Sequence, residues 1–219
     1  ANAWLEKGFV SKEFVEYLSD TKRVAFPWSM IDKITPRPDA KVAKMLTDSG
    51  YEDAETIITG KKTYTASFVN AEQAQYLVIE DAFPAGRPAL ENAGVYFVDR
   101  ETVNKVEKMK VCTCLNPLHT ALAILGCILG MDTIAQEMTD ADLSALVKRI
   151  GYVEGLPVVV DPGIMKPADF LSDVLTIRLP NVFMPDTPQR IATDTSQKLS
   201  IRFGVTIKEY IRRGMALSG

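Results

Sequence analysis

Histidine occurs once in this 219-residue chain, at His119, and cysteine three times, at Cys112, Cys114 and Cys127. An odd number of thiols crowded into one apolar region suits a reduced, cytoplasmic protein better than a disulfide scaffold. It also argues against a metal site. On a helix Cys112 and Cys114 point about 160° apart, and the sequence holds neither a second CxC or CxxC nor another imidazole to complete a ligand set. No GxGxxG follows a strand and no GxxxxGK[ST] occurs, so the sequence supplies no loop to cradle a nucleotide's phosphates. GxSxG and HExxH are absent as well. A net charge of −3 argues against a general nucleic-acid or anionic-membrane surface. The apolar run over residues 120–131 is too short to cross a bilayer, which takes ~20 residues, and reads as a core helix. No signal peptide is visible in these residues, and neither is an internal repeat or low-complexity segment. The chain does not begin with Met, and its first residues already read as helix, so it is expected to be a piece of a longer polypeptide.

What is present centres on KVCTCLNPLHTALAILGCILGM, residues 110–131. Here Lys110, Asn116 and His119 stand just ahead of twelve uncharged residues, which places a polar cluster on a buried segment. As a proton-transfer site, a lysine beside the core serves as a base, an asparagine amide donates to a developing oxyanion, and an imidazole orients a hydroxyl. The alternative is structural: Asn116 caps a helix whose first turn holds Pro117, with His119 a satisfied first-turn residue and Lys110 a solvated end. Helical geometry constrains the first reading. His119 lies about 60° from Asn116, but Lys110 lies about 120° from Asn116 and about 180° from His119, so one straight helix cannot gather all three. A break between Lys110 and Asn116 is required, and Pro117, which pushes Asn116 out of the helical region, gives a reason for one. Gly126 and Gly130, four apart, would let a neighbouring helix approach closely.

The remaining pattern predicts a mainly α, multihelical fold with a small β section near residues 55–98. Residues 1–17 read as an amphipathic helix broken at Gly8 and restarted with Ser11 as cap. Residues 26–36 are bounded by prolines, mix large apolar groups with Asp32 and Lys33, and read as an ordered, partly buried loop, either pinned by Trp28 and Ile31 or facing a ligand. A short helix is expected over 41–48. Residues 55–59, 64–69, 76–79 and 95–98 have strand composition, the first two forming a hairpin. From residue 100 the pattern is helical: 101–110 leading into the central segment, 140–150 closed by Gly151, 167–175, and a long helix opened by Thr187-Pro188. A buried extended piece or the start of a bend interrupts it over 157–162. On the last helix Asp194, Lys198 and Arg202 recur every four residues, either as a ladder of surface ion pairs or as a cationic wall for an anionic or polyhydroxy ligand.

Four blocks carry a resemblance: FPWSMIDKITPRP, QYLVIEDAFPAGRPALENAGVYFVD, EKMKVCTCLNPLHTALAILG and PDTPQRIATDTSQKLSIRF, in that order. Together they resemble the C-terminal domain of the polyol-specific long-chain dehydrogenases, the family of mannitol 2-dehydrogenase, fructuronate reductase (mannonate oxidoreductase) and tagaturonate reductase. The resemblance spans residues 1–219. It implies a helical substrate domain that follows an N-terminal Rossmann domain holding most of the NAD or NADP, with metal-independent catalysis. It further implies Lys110 as general base, Asn116 in the oxyanion hole and His119 positioning the substrate. Trp28, Asp32, Lys198 and Arg202 are implied substrate contacts, and the last two suit a distal carboxylate, which favours D-mannonate and D-fructuronate over mannitol and fructose. By itself the chain is expected to turn nothing over.

Two departures stand out. Lys110 precedes Asn116 by six positions where five is commoner in the family, so the connection bulges or the lysine enters from another direction. Trp28 occupies a position where many members have an asparagine, the second arm of the oxyanion hole. An indole N–H can donate there, but the pocket is reshaped. A different reading is a helical interaction or oligomerisation module that has lost its chemistry.

Overall fold

A computed structural model describes residues 1–73 and 75–216. In chain order the elements are α1 (Asn2–Glu6), α2 (Lys12–Ser19), β1 (Ser29–Asp32), α3 (Ala40–Asp48), β2 (Ile57–Ile58), β3 (Tyr64–Thr65), β4 (Tyr76–Glu80), β5 (Tyr96–Val98), α4 (Arg100–Met109) and α5 (Asn116–Leu129). There follow α6 (Ile134–Glu137), α7 (Ala141–Lys148), α8 (Pro167–Asp173), α9 (Pro188–Ala192), α10 (Thr195–Arg202) and α11 (Gly204–Arg212). The protein is mainly helical. It divides into two compact units, residues 1–31 with 76–104 and residues 32–75 with 105–219, and the divisions fall inside β1 and α4.

In the first unit the break at Gly8 and the cap at Ser11 follow the sequence. Gly8 takes a φ of +72°, and the Ser11 hydroxyl accepts from the N–H of Phe14. The segment over 26–36, expected as a loop, instead contributes a strand: β1 joins β4 and β5 in a three-stranded sheet. Glu80 N–H donates to the Trp28 carbonyl, so pairing across the sheet overrides the proline-rich composition. β4 and β5 run parallel, with Val78 opposite Tyr96.

The second unit is built around α5. Leu118, Leu122 and Ala123 on it are fully buried and pack with Met109, Leu143, Val147, Leu171, Val174 and Ile191. Pro117 sits in its first turn and Gly130 ends it at a φ of +69°, the left-handed cap that favours glycine. The expected close approach is real at Gly126: a Cβ there would lie 1.7 Å from Glu137 Oε1 and 3.1 Å from Pro188 Cγ. Gly130 has no atom near its missing Cβ and serves only as the cap. The hairpin forms as expected, with β2 and β3 antiparallel.

Two boundaries differ from expectation. Gly151 does not close α7, because the chain continues through a wide π turn at Arg149–Gly155, and the absent side chain makes room for Leu171, whose Cδ1 would lie 2.8 Å from a Cβ. The long helix expected after Pro188 is three short ones. Asp194, in the left-handed region at a φ of +56°, separates α9 from α10, and Phe203 precedes α11.

Candidate active site

The required break between Lys110 and Asn116 is a π turn, Lys110–Cys114, inserted between α4 and α5. The N–H of Leu115 reaches back five residues to the carbonyl of Lys110, at 3.0 Å. A π turn accommodates one more residue than an α turn, which accounts for six positions between Lys110 and Asn116 rather than five. α5 then starts at Asn116 itself, and no side chain caps it. The capping alternative for Asn116 is therefore not what the fold uses, and its amide makes no hydrogen bond among the described residues.

Lys110 Nζ lies 2.7 Å from Oδ1 of Asp32, whose side chain is 2% exposed. Asp32 also takes both terminal nitrogens of Arg178, at 2.6 and 2.9 Å. The other edge of the same guanidinium holds Glu72, with Nε at 2.9 Å and Nη2 at 2.8 Å from its two oxygens. Glu72 accepts as well from the N–H of Ile34, while its own carbonyl accepts from Lys33 Nζ. Burial works to raise Asp32's pKa, but the hydrogen bonds and charges of Arg178 and then Lys110 outweigh it, so the carboxyl titrates below its ordinary range. Burial would also weaken the Arg178 guanidinium as a cation, and its two carboxylates reverse that. Arg178 closes another π turn, Val174–Arg178, so this turn and that of Lys110 deliver two cations to one carboxylate.

His119, three residues beyond Asn116 on α5, has Nε2 2.8 Å from Oδ2 of Asp186. Burial first, then the positive charges of Arg202, Arg190, Arg178 and Lys198, pull its pKa down to about 4, so the imidazole is neutral at pH 7. A neutral ring whose Nε2–H donates to Asp186 keeps Nδ1 as an acceptor. His119, Asp186 and Arg178 line a small cavity of about 20 Å³ together with Leu115 and Ile134. A wider cavity of about 570 Å³ shares Ile34, Met184 and Asp186 with it and continues along Thr35, Arg37 and Arg190. Lys110 and Asn116 line neither. Arg178 thus relates two of the three proposed catalytic residues, holding Asp32 beside Lys110 and bordering the cavity of His119, whereas Asn116 lines neither cavity and the three do not share one hollow among the described residues.

The other candidates fall as follows. Trp28, in the first unit, lies under the guanidinium of Arg100 at 4.6 Å, and its backbone N–H donates to Glu80. Asp32 is a buried ion-pair partner. Lys198 and Arg202 do lie four apart on α10, but no ladder with Asp194 forms among the described residues. Lys198 Nζ donates to the carbonyls of Ile191 (2.8 Å) and Thr193, and Arg202 to the hydroxyl of Thr120 on α5.

Comparison with known proteins identifies the family. The profile of the mannitol dehydrogenase C-terminal domain matches residues 102–219. The chain belongs to that family. Over 212 residues it is 59% identical to a D-mannonate oxidoreductase of Thermotoga maritima, covering 96% of this chain and 39% of the relative. A mannitol 2-dehydrogenase of Cereibacter sphaeroides is 31% identical over 80% of the chain and 34% of its own length. Among solved structures, a D-sorbitol dehydrogenase in substrate-free form superposes with a TM-score of 0.79 at 27% identity, covering 97% of this chain and 40% of that one. The Pseudomonas fluorescens mannitol 2-dehydrogenase, in ternary complex with NAD and D-mannitol, superposes at 0.70 with 26% identity, covering 96% and 39%. The chain therefore spans about two fifths of the length of these relatives.

Sequence reasoning missed Glu72, Arg178, Asp186 and Arg190. Arg178 carried a signal in its surroundings: one guanidinium inside Val174–Leu179, an otherwise uncharged stretch, implies a buried and therefore paired cation. Glu72 and Asp186 lie in unremarkable polar loops, and Arg190 on the short helix α9.

Proposed function

We propose that this chain is the substrate-binding and acid–base part of an NAD(P)-dependent oxidoreductase that interconverts a secondary alcohol and a ketone of a sugar acid or polyol. D-Mannonate and D-fructuronate come first as substrates, and mannitol and fructose next. The name carried by the relative at 59% identity supports that order. The observation that carries the chemistry is the Lys110 ammonium held 2.7 Å from Asp32 at the head of the buried helix. When bound, a nicotinamide coenzyme supplies or accepts the hydride. No pyrophosphate cradle occurs in this sequence, so that coenzyme is held chiefly by another part of the polypeptide, a Rossmann domain. The two buried thiols, Cys112 and Cys114, suit a cytoplasmic setting.

In ketone reduction Lys110 gives a proton from Nζ to the oxygen as it gains negative charge, and is left as an amine. In alcohol oxidation the amine takes the hydroxyl proton back. The uncommitted amide of Asn116 donates to the same oxygen while it is negative. His119, neutral and fixed by Asp186, accepts from a neighbouring substrate hydroxyl through Nδ1. The arrangement needs no metal ion to polarise the carbonyl.

The test is coenzyme oxidation by the full-length protein with fructuronate, tagaturonate and fructose, with Lys110→Ala alongside. Turnover should fall by more than ~100-fold in the variant, within the range usual for a general base. Undiminished turnover in Lys110→Ala would remove the assigned acid and base. The absence of turnover with all three sugars would remove the substrate class.

A further inference from the structure

Lys110 does not face Asp32 alone. Its partner belongs to a closed set in which Arg178 grips two carboxylates by opposite edges, with both Asp32 and Glu72 at 2% side-chain exposure and Arg178 at 4%. Counting formal charges, Arg178 contributes one positive and the carboxylates two negatives, so the set carries one net negative charge next to the lysine. With its proton Lys110 neutralises the set, and without it the negative charge is left buried. Removing water makes that difference larger than it would be at a surface. From these positions we infer that Arg178 and Glu72, which touch no reacting atom, are positioning residues that fix how readily Lys110 exchanges its proton. Arg178 offsets one of the two carboxylates and thereby lets the amine form exist, while Glu72 holds Arg178 in register and adds the charge that favours the ammonium. This inference rests on Lys110 being the acid and base.

Few other groups compete for this role. Lys33 donates to the backbone carbonyl of Glu72. On α5 His119 is neutral and committed to Asp186. Among the elements packed on the π turn of Lys110, Arg202 is committed to Thr120, Lys198 to backbone carbonyls, Glu154 to Arg149, and Glu209 to Arg212 and Arg213. Asp169 and Asp173 on α8 are exposed to solvent. The Cys114 thiol on the turn itself is pushed up to about 12 by burial and stays uncharged.

The experiment is the pH profile of kcat/KM for alcohol oxidation in the full-length protein, comparing wild type with Arg178→Met and Glu72→Gln. Oxidation requires the free amine, so its acid limb reports where the proton leaves. Arg178→Met should move the midpoint of that limb up by about 1 pH unit or more, and Glu72→Gln should move it down by a similar amount, the scale expected for one charge a few ångströms away. Loss of packing alone does not give opposite signs from two neighbours of one ion-pair set. Arg178→Lys, which keeps the charge and loses the fork, should restore the midpoint but not the full kcat. Midpoints that stay within about 0.3 of wild type, or that move the same way in both variants, would overturn the inference. Should Arg178→Met fail to fold by circular dichroism, Glu72→Gln decides: a midpoint at or above wild type overturns the proposal. If Lys110→Ala retains full turnover the functional reading itself fails, whereas loss of turnover there without opposed midpoints sinks only this inference.

Discussion

The two ends of α5 bury charge in opposite ways. Before its first turn, four side chains from β1, the Glu72 loop and two π turns pair with one another, Lys110 with Asp32 and Arg178 with both Asp32 and Glu72. Near its last turn Glu137 is fully buried against Gly126, and neither of its oxygens has a hydrogen-bond partner among the described residues. Desolvation pushes its pKa up to about 7. The same cost of removing charge from water is thus met by pairing at one end and by retaining a proton at the other. Pairing preserves charge for use, which is what an acid–base site needs. A proton retained on a lone carboxyl only limits the damage.

The strongest way to break this comparison is Asp32→Ala. It leaves Arg178 with Glu72 alone and takes away the carboxylate that Lys110 pairs with, and should cost about 3–5 kcal/mol in denaturant unfolding. A cost below about 1 kcal/mol would mean that water solvates the set. Next comes Gly126→Ala, whose methyl would collide with the Glu137 carboxyl and with Pro188, for a loss of about 1–3 kcal/mol. Combining it with Glu137→Ala should recover part of that loss in a double-mutant cycle, and purely additive effects would show that the carboxyl is not what the methyl meets.

Smaller again is Glu137→Gln, expected to gain about 1 kcal/mol at pH 8 and nothing at pH 4. The sign follows from the raised pKa. As pH climbs from the ordinary 4.5 towards about 7, the unfolded chain loses its proton while the folded chain keeps it, so stability falls across that window. His119 works the other way. With its folded pKa near 4 against an ordinary 6.5, stability falls as pH drops from about 6.5 to 4. A Glu137→Gln protein whose melting temperature still declines between pH 5 and 7 would contradict the assignment. The smallest effect is Arg190→Gln. Its guanidinium pairs with Asp186 but is 68% exposed, so the stability change should stay within a few tenths of a kcal/mol.

Much of the frame was legible because it is local. Ser11 caps its helix, Gly8 breaks the one before it, and the run beginning at Thr120 belongs to the core helix. The need for a break after Lys110 followed from angles alone, and so did room for a neighbour at Gly126. The ion-pair set was not legible, because Arg178 meets partners 106 and 146 positions away and no short-range pattern encodes those meetings. The π turns escaped for a related reason. An extra residue within a helix leaves the apolar spacing nearly intact, so a sequence reading places the helix correctly and misses its width. Asp194 misled differently: its spacing to Lys198 and Arg202 fits one helix face, but its backbone breaks the helix on which that face was drawn.

The wide turn ahead of α5 also bears on how such a chain can change length. A helix does not ordinarily tolerate gain or loss of a single position, because everything beyond it rotates by about 100°. A loop of one extra residue already present in the coil is a slack that can be taken up there, leaving Leu118, Leu122 and the rest of the core unrotated. Trimming one position between Lys110 and Asn116 would then re-aim a single amine while the scaffold stood still, a route by which descent could retune the acid without rebuilding the protein around it.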